Sequence, residues 1–228
     1  CALSLLLRLQ QSSRPLPAPA GLLAFSPWVN LRCDTPTYLA NAFASVGGSG
    51  HFVGDIVLQE PPGENSETMR RLASRYVTGF SELLRDPMAS PMHATEAQLG
   101  GMPPLYLAVG SGEVLAGDAA ILAERAALRG VPVVHDVFVG MWRAFPMYSE
   151  GCGSGSGLKQ GQAALARAGL FVKQVAQAAE QLPELIYRHT GSAGRRSDQP
   201  QTTIFYPHED GGEEWVSAPP LEIRALAS

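Results

Sequence analysis

Two residues combine a reactive type with a position where chemistry is done: Glu113 in VGSGEVLAGD and Arg143 in VGMWRAF. Each follows a short apolar run, LYLAV (105–109) or VPVVHDVF (131–138), of the kind that forms a strand buried on both faces. In open α/β sheets, reactive groups gather beyond the carboxyl ends of the strands. The 30 positions from Glu113 to Arg143 hold one helix, so a strand-helix-strand crossover sets the two loops side by side. A carboxylate then faces a permanent cation. The guanidinium stays protonated and has no lone pair to accept a proton, so Arg143 is no general base. The expected arrangement is a Glu113–Arg143 ion pair. Taken alone, Glu113 also fits an ordinary solvated turn residue.

The other reactive side chains are less well placed. Ser111 lies in the same turn as Glu113 but has no base beside it. His135 falls inside a strand and points to one face of the sheet. His51 sits in the GGSGH loop, His93 in an SPM loop, and His189 and His208 near or in the C-terminal stretch. Ser26-Pro27 and Ser90-Pro91 are expected to fix strand exits and local backbone donors. Trp28, Met141, Trp142 and Phe145 read as apolar walls, packed in the core by default. For Met141 and Trp142 the alternative is a substrate pocket. Cys1, Cys33 and Cys152 match no zinc spacing and read as reduced thiols.

The elements that must hold these residues alternate in type. Ala2–Gln11 is rich in helix formers, and the prolines of the next stretch end it. Gly21–Phe25 is a first buried strand. Residues 33–64 are rich in Gly, Pro, Asn and Ser, with a helical turn near Tyr38–Phe43. Ser66–Leu84 has helical spacing of Met69, Leu72, Ala73, Tyr76 and Phe80, with Ser66 as a candidate cap. Asp118–Arg129 is a helix closed by Gly130, and Leu158–Gln181 a long amphipathic one. This order predicts an α/β fold with a mainly parallel sheet flanked by helices. One domain over 1–189 is expected, with a lid-like insert at about 33–85. Residues 190–228 are polar and without sustained period, which predicts a disordered tail.

Composition narrows the function. Of the 228 residues 45% are hydrophobic and 17% charged, enough apolar content for a sizeable core. A net charge of −4 argues against a nucleic-acid partner, which would call for a basic face. No apolar run approaches the roughly 18 residues of a membrane span, so no stable membrane insertion is expected. The first residue is Cys1 rather than Met, and the expectation is that an N-terminal portion is missing from the sequence. The compartment stays open, with cytoplasm favoured. Oligomeric state is not legible.

SPWVNL, then SPM at 90–92, then MPPLYLAVGSGEVLAGDAAILAERAALRGVPVVHDVFVGMWRAFPMY together resemble the hormone-sensitive-lipase-like branch of the α/β-hydrolases. The resemblance covers roughly Cys1 to Gln181. It implies the C-terminal part of an α/β-hydrolase fold and a serine acyl-enzyme mechanism without cofactor. A triad acid would stand at Glu113, where it would orient an imidazole and stabilise the imidazolium. The family's catalytic histidine falls at Arg143. The nucleophilic serine would precede Cys1, in a turn leading into the first helix. The implied partner is a small-molecule ester or apolar ligand. Three functions follow: an ester hydrolase represented by an incomplete chain; a non-catalytic ligand binder, as in the gibberellin receptors of plants, which lack the histidine; or a truncated product without function.

Overall fold

The computed structural model describes residues 2–13, 17–43, 45–46, 52–55, 66–151, 155–188, 201–207 and 213–217. Three apolar runs form the parallel strands that the sequence predicts: β1 (Leu22–Phe25), β4 (Leu105–Gly110) and β5 (Val133–Phe138). β4 pairs with β1 from Leu22↔Leu105 to Phe25↔Ala108, and with β5 from Leu105↔Val133 to Gly110↔Phe138. All six residues of β4 are buried, because helices cover both its faces.

Alternation along the strands sorts the core into two layers. Leu105, Leu107 and Val133 pack with Leu3, Leu6 and Leu7 of α1 (Ala2–Gln10) and with Leu122, Ala123 and Ala126 of α5 (Ala116–Ala127). Tyr106, Ala108 and Phe138 point the other way, onto Ala164, Ala168 and Phe171 of α6 (Lys159–Arg188). On that face Arg167 makes a bidentate bond to the buried Asp136, at 2.6 and 2.7 Å. α5 ends as expected at Gly130, whose φ of +77° suits glycine; the Gly130 and Val131 N–H groups close on the carbonyls of Ala127 and Ala126.

The insert supplies a third cluster. α2 (Thr37–Ala40) and α3 (Glu67–Tyr76) bring Tyr38, Met69, Ala73 and Val77 against Val114 and Leu115 at the start of α5. A two-stranded antiparallel pair, β2 (Ser45–Val46) and β3 (Phe52–Val53), lies within it. Ser66 does not cap α3. Its backbone is left-handed (φ +52°) and its hydroxyl donates instead to the Tyr38 carbonyl at 2.6 Å. α3 also stops at Tyr76 rather than near Leu84, because Thr78 and Gly79 both take positive φ. A short helix absent from the sequence reading, α4 (Glu96–Gly100), is closed by a reciprocal Thr95–Gln98 capping box.

Ser90 has the structural role expected of it: its hydroxyl accepts from Leu31 N–H at 2.9 Å and donates to the Leu84 carbonyl at 2.7 Å. Arg125 donates to the carbonyls of Met92 and Ala94, fastening α5 to the same loop.

Two segments in the C-terminal stretch join the sheet. β6 (Gln201–Pro207) runs parallel to β5, and β7 (Glu213–Ser217) antiparallel to β6, giving the order β1-β4-β5-β6-β7. The sequence reading placed no strand there, although Thr202, Thr203, Ile204, Phe205 and Tyr206 are all β-formers. The rest of 190–228 lies outside the described residues. Among the described residues, no helix is long and apolar enough to cross a membrane, and no group of His, Cys, Asp and Glu could hold a metal ion.

Candidate functional site

Three neighbouring strands end together, and each delivers a polar side chain there. Ser26 follows β1, Glu113 follows β4 and Arg143 follows β5. Parallel pairing in register makes this so. Ser26 N–H bonds the Ala108 carbonyl at 2.9 Å, and Ser111 N–H bonds the Phe138 carbonyl at 2.9 Å.

The loops after β4 and β5 are then tied directly. Gly112 N–H donates to the Met141 carbonyl at 3.0 Å, and Gly140 N–H to the Ser111 hydroxyl at 3.0 Å. Glycine is required at Gly110 by close approach, since a Cβ there would stand 2.3 Å from the Met141 carbonyl oxygen. Ser111, expected to be a poor nucleophile, is used to hold the loops together. The Ser26 hydroxyl accepts Ala144 N–H at 2.9 Å, fixing the residue next to Arg143. Ser26 thus satisfies a backbone donor at a strand exit, as the sequence predicts, although the donor belongs to the loop after β5 rather than to its own.

Glu113 is fully buried. Its Oε1 accepts the Gly110 N–H at 3.1 Å, while no donor reaches Oε2 among the described residues. Burial pushes its pKa up to about 8; the Ser26 hydroxyl, the Gly110 N–H and Arg143 pull it down, and the nearby Asp55 adds to the rise. The solvated-turn alternative is therefore excluded.

The expected Glu113–Arg143 ion pair is not formed. The carboxyl turns inward onto its own loop, and Arg143, half-buried, places Nη1 3.4 Å from the Sδ of Met69 on α3. Arg143 influences Glu113 through space without touching it.

The insert grips the acid turn from above, and none of these residues was legible as part of a site. Asn41 Nδ2 donates to the carbonyls of both Ser111 and Glu113, at 3.0 and 2.9 Å. The Thr37 hydroxyl donates to the Val114 carbonyl at 2.7 Å and accepts Gly117 N–H at 3.1 Å. Asp55, itself buried, accepts Val114 N–H at 3.3 Å. One turn into α5, buried Asp118 accepts from Tyr38 at 2.9 Å and Thr35 at 3.2 Å; burial pushes its pKa up to about 7 against those bonds.

Met141 and Trp142 both pack in the cluster on the α6 face. Met141 is buried, and half-buried Trp142 sits edge-on to Tyr148 with ring centroids 5.7 Å apart. His135 is buried within β5 as expected, with Nε2 unpartnered among the described residues and its pKa pushed down to about 4 by desolvation. His93 ends a short 3-10 turn, and burial lowers its pKa. His51, His189 and His208 lie outside the described residues, as do Cys1 and Cys152. Cys33 is a free, buried thiol, pushed up to about 12 by burial and so unreactive.

Loops tied at the ends of neighbouring parallel strands, with helices on both faces, agree with what sequence comparison finds. The chain belongs to the alpha/beta hydrolase fold family, whose model matches residues 1–147. Within it, the chain falls in the hormone-sensitive-lipase-like branch. Over 76% of its length it overlays an esterase from the bacterial hormone-sensitive lipase family, with a TM-score of 0.58 and 27% identity. EstE5 soaked with p-nitrophenyl butyrate gives a TM-score of 0.58 at 25% identity, again over 76% of this chain and 48% of that one. An acetyl-hydrolase of Streptomyces hygroscopicus is 31% identical over 172 residues, 75% of this chain and 48% of the relative. An esterase of Acinetobacter venetianus is 29% identical over 156 residues, 65% of this chain and 42% of the relative. The chain thus spans about half the length of the relatives it matches.

Proposed function

We infer that this chain is the acid- and base-loop portion of a serine-type carboxylic-ester hydrolase, with Glu113 in the acid position and Arg143 in the base position. One observation carries the reading. The Gly112–Met141 and Gly140–Ser111 bonds hold the loop of Glu113 against the loop of Arg143. An imidazole at 143 would stand where a carboxylate could orient it and stabilise its cation. A serine outside these residues would attack the ester carbonyl, with water completing the cycle and no cofactor. Half-buried Trp142 would line the acyl side.

With arginine at 143 the serine has no general base, so the protein as written is catalytically silent towards esters. The test uses the product of the complete reading frame, assayed on p-nitrophenyl butyrate. The Arg143 form should be close to inactive, and Arg143→His should gain at least about 10²–10⁴ in turnover. Equal rates for the two forms would overturn the assignment. A second reading, a ligand-binding homologue without catalysis, is favoured by the same arginine, which forms no ion pair among the described residues.

A further inference from the structure

The insert and the acid turn are knit together around Asp55, which follows β3. The Asp55 N–H donates to the Asn41 carbonyl at 2.7 Å, and the Asn41 amide donates in turn to the carbonyls of Ser111 and Glu113, at 3.0 and 2.9 Å. The Asp55 carboxyl accepts Val114 N–H at 3.3 Å, one residue beyond Glu113. A Cβ on Gly112 would stand 3.0 Å from the Gly54 carbonyl oxygen, so the insert backbone lies directly on the turn.

Asp55 and Glu113 are both fully buried, so two carboxyl groups withdrawn from water meet around one turn. Asp55 lies close enough for its charge to act on Glu113. Burying a carboxylate costs more than burying an amide, and an asparagine could accept the same N–H. What aspartate adds at 55 is negative charge. The other charged and titratable groups described around the turn are Arg143, from the loop after β5, and Asp118, one turn into α5 and held by Tyr38 and Thr35. Cys33 and Arg70 lie beyond Asp118.

We propose that Asp55 is a positioning residue for Glu113: it holds the acid turn from the insert side through Val114 and adds a second negative charge behind the acid. This rests on the reading of 113 and 143 as the acid and base positions. An imidazole at 143 would be stabilised as its cation by both charges, with Glu113 the nearer. The two effects of Asp55 are separable. The hydrogen bond to Val114 needs only an acceptor at 55, whereas the electrostatic effect needs the carboxylate. Asp55 acts through the turn and takes no part in acyl transfer.

The test uses the protein from its complete reading frame carrying Arg143→His, with the pKa of the imidazole at 143 followed by NMR. Asp55→Asn should lower that pKa by about one pH unit, because a nearby negative charge is lost. The acid limb of kcat/KM on p-nitrophenyl butyrate should move down with it. Asp55→Asn keeps an acceptor for Val114 N–H, so its kcat should stay near that of Arg143→His alone. Asp55→Ala should show the same lowered pKa, lose about tenfold in kcat with KM unchanged, and speed hydrogen exchange at the Val114 amide. Should Asp55→Ala fold poorly, the imidazole pKa in Asp55→Asn decides alone. A pKa unchanged by Asp55→Asn, or Val114 exchange unchanged by Asp55→Ala, would overturn the proposal. Glu113→Gln in the same background separates it from the underlying reading. If Glu113→Gln lowers the pKa and Asp55→Asn does not, Asp55 alone loses its role. If neither lowers it, the base assignment falls and takes the role of Asp55 with it. A pKa lowered by Asp55→Asn without hydrolysis by Arg143→His supports the place of Asp55 behind the acid and removes the base assignment.

Discussion

Gly112 and Met141 touch backbone to backbone, N–H to carbonyl at 3.0 Å, and this bond joins the turn that carries Glu113 to the loop that carries Arg143. The neighbouring Gly110 has even less room, with the Met141 carbonyl oxygen 2.3 Å from where its Cβ would be. Gly110→Ala should therefore force the two loops apart. A cost of about 1–3 kcal/mol is expected for overpacking of this kind. Urea unfolding of the protein from its complete reading frame would measure it. An unchanged midpoint would mean the loops are not held by this contact.

Asn41 is the staple from the insert. Asn41→Ala leaves the carbonyls of Ser111 and Glu113 without their shared donor. The expected loss is about 1–3 kcal/mol. In an Arg143→His background the same change should lower kcat more than it raises KM, because it loosens the acid rather than the substrate. A rise in KM alone would contradict this.

Glu113 makes stability depend on pH in a definite sense. Its folded pKa, near 8, lies above its ordinary value of 4.5. Between those values the folded state holds the extra proton, so the contribution is complete below about pH 4.5 and lost as pH rises towards 8. Glu113→Gln cannot ionise. Its melting temperature should match the parent near pH 4.5 and exceed it at pH 9. Parallel curves for the two proteins would show that Glu113 ionises freely in the folded state.

The Arg143→His variant gives Glu113 a catalytic assay. Adding Glu113→Gln to it should remove most of the regained turnover, since the imidazolium loses its charge partner. Full retention of rate in the double variant would take Glu113 out of the acid position.

Residues 1–228 expressed alone should behave poorly. Leu5, Leu39, Phe43, Tyr76, Phe80 and Leu170 are exposed in this chain, and β1 has a strand partner on one side only among the described residues. Open strand edges and apolar patches favour association. Strong binding of an apolar dye and concentration-dependent light scattering are expected. A monomer with a sharp thermal transition would refute this.

The parallel core was readable because LLAF, LYLAVG and VVHDVF are continuous apolar runs spaced by helical pattern, and such runs have few alternatives. The side-by-side placing of the Glu113 and Arg143 loops was readable because each follows a strand end. What escaped the sequence was contact at long range. Asn41 and Asp55 lie in a stretch whose composition says only loop, yet they close on residues some 60–70 positions away. The ion pair failed for a related reason. Adjacency along the sheet edge brought the two groups near each other, but the carboxyl turns inward to accept the Gly110 N–H of its own turn, and sequence does not report burial of a turn. The capping box Thr95–Gln98 was present in the letters and simply overlooked.

The grip of Thr37, Asn41 and Asp55 on the acid turn means that the segment covering the site is not a freely exchangeable module. A graft of residues 33–85 from another member of the alpha/beta hydrolase fold family would bring its own inner surface, and with it a different set of donors and acceptors against Ser111, Glu113 and Val114. Unless those three anchor positions travel with it, a chimera designed to change which molecules enter would also shift the carboxyl beneath. Entry and chemistry in this fold are inherited together.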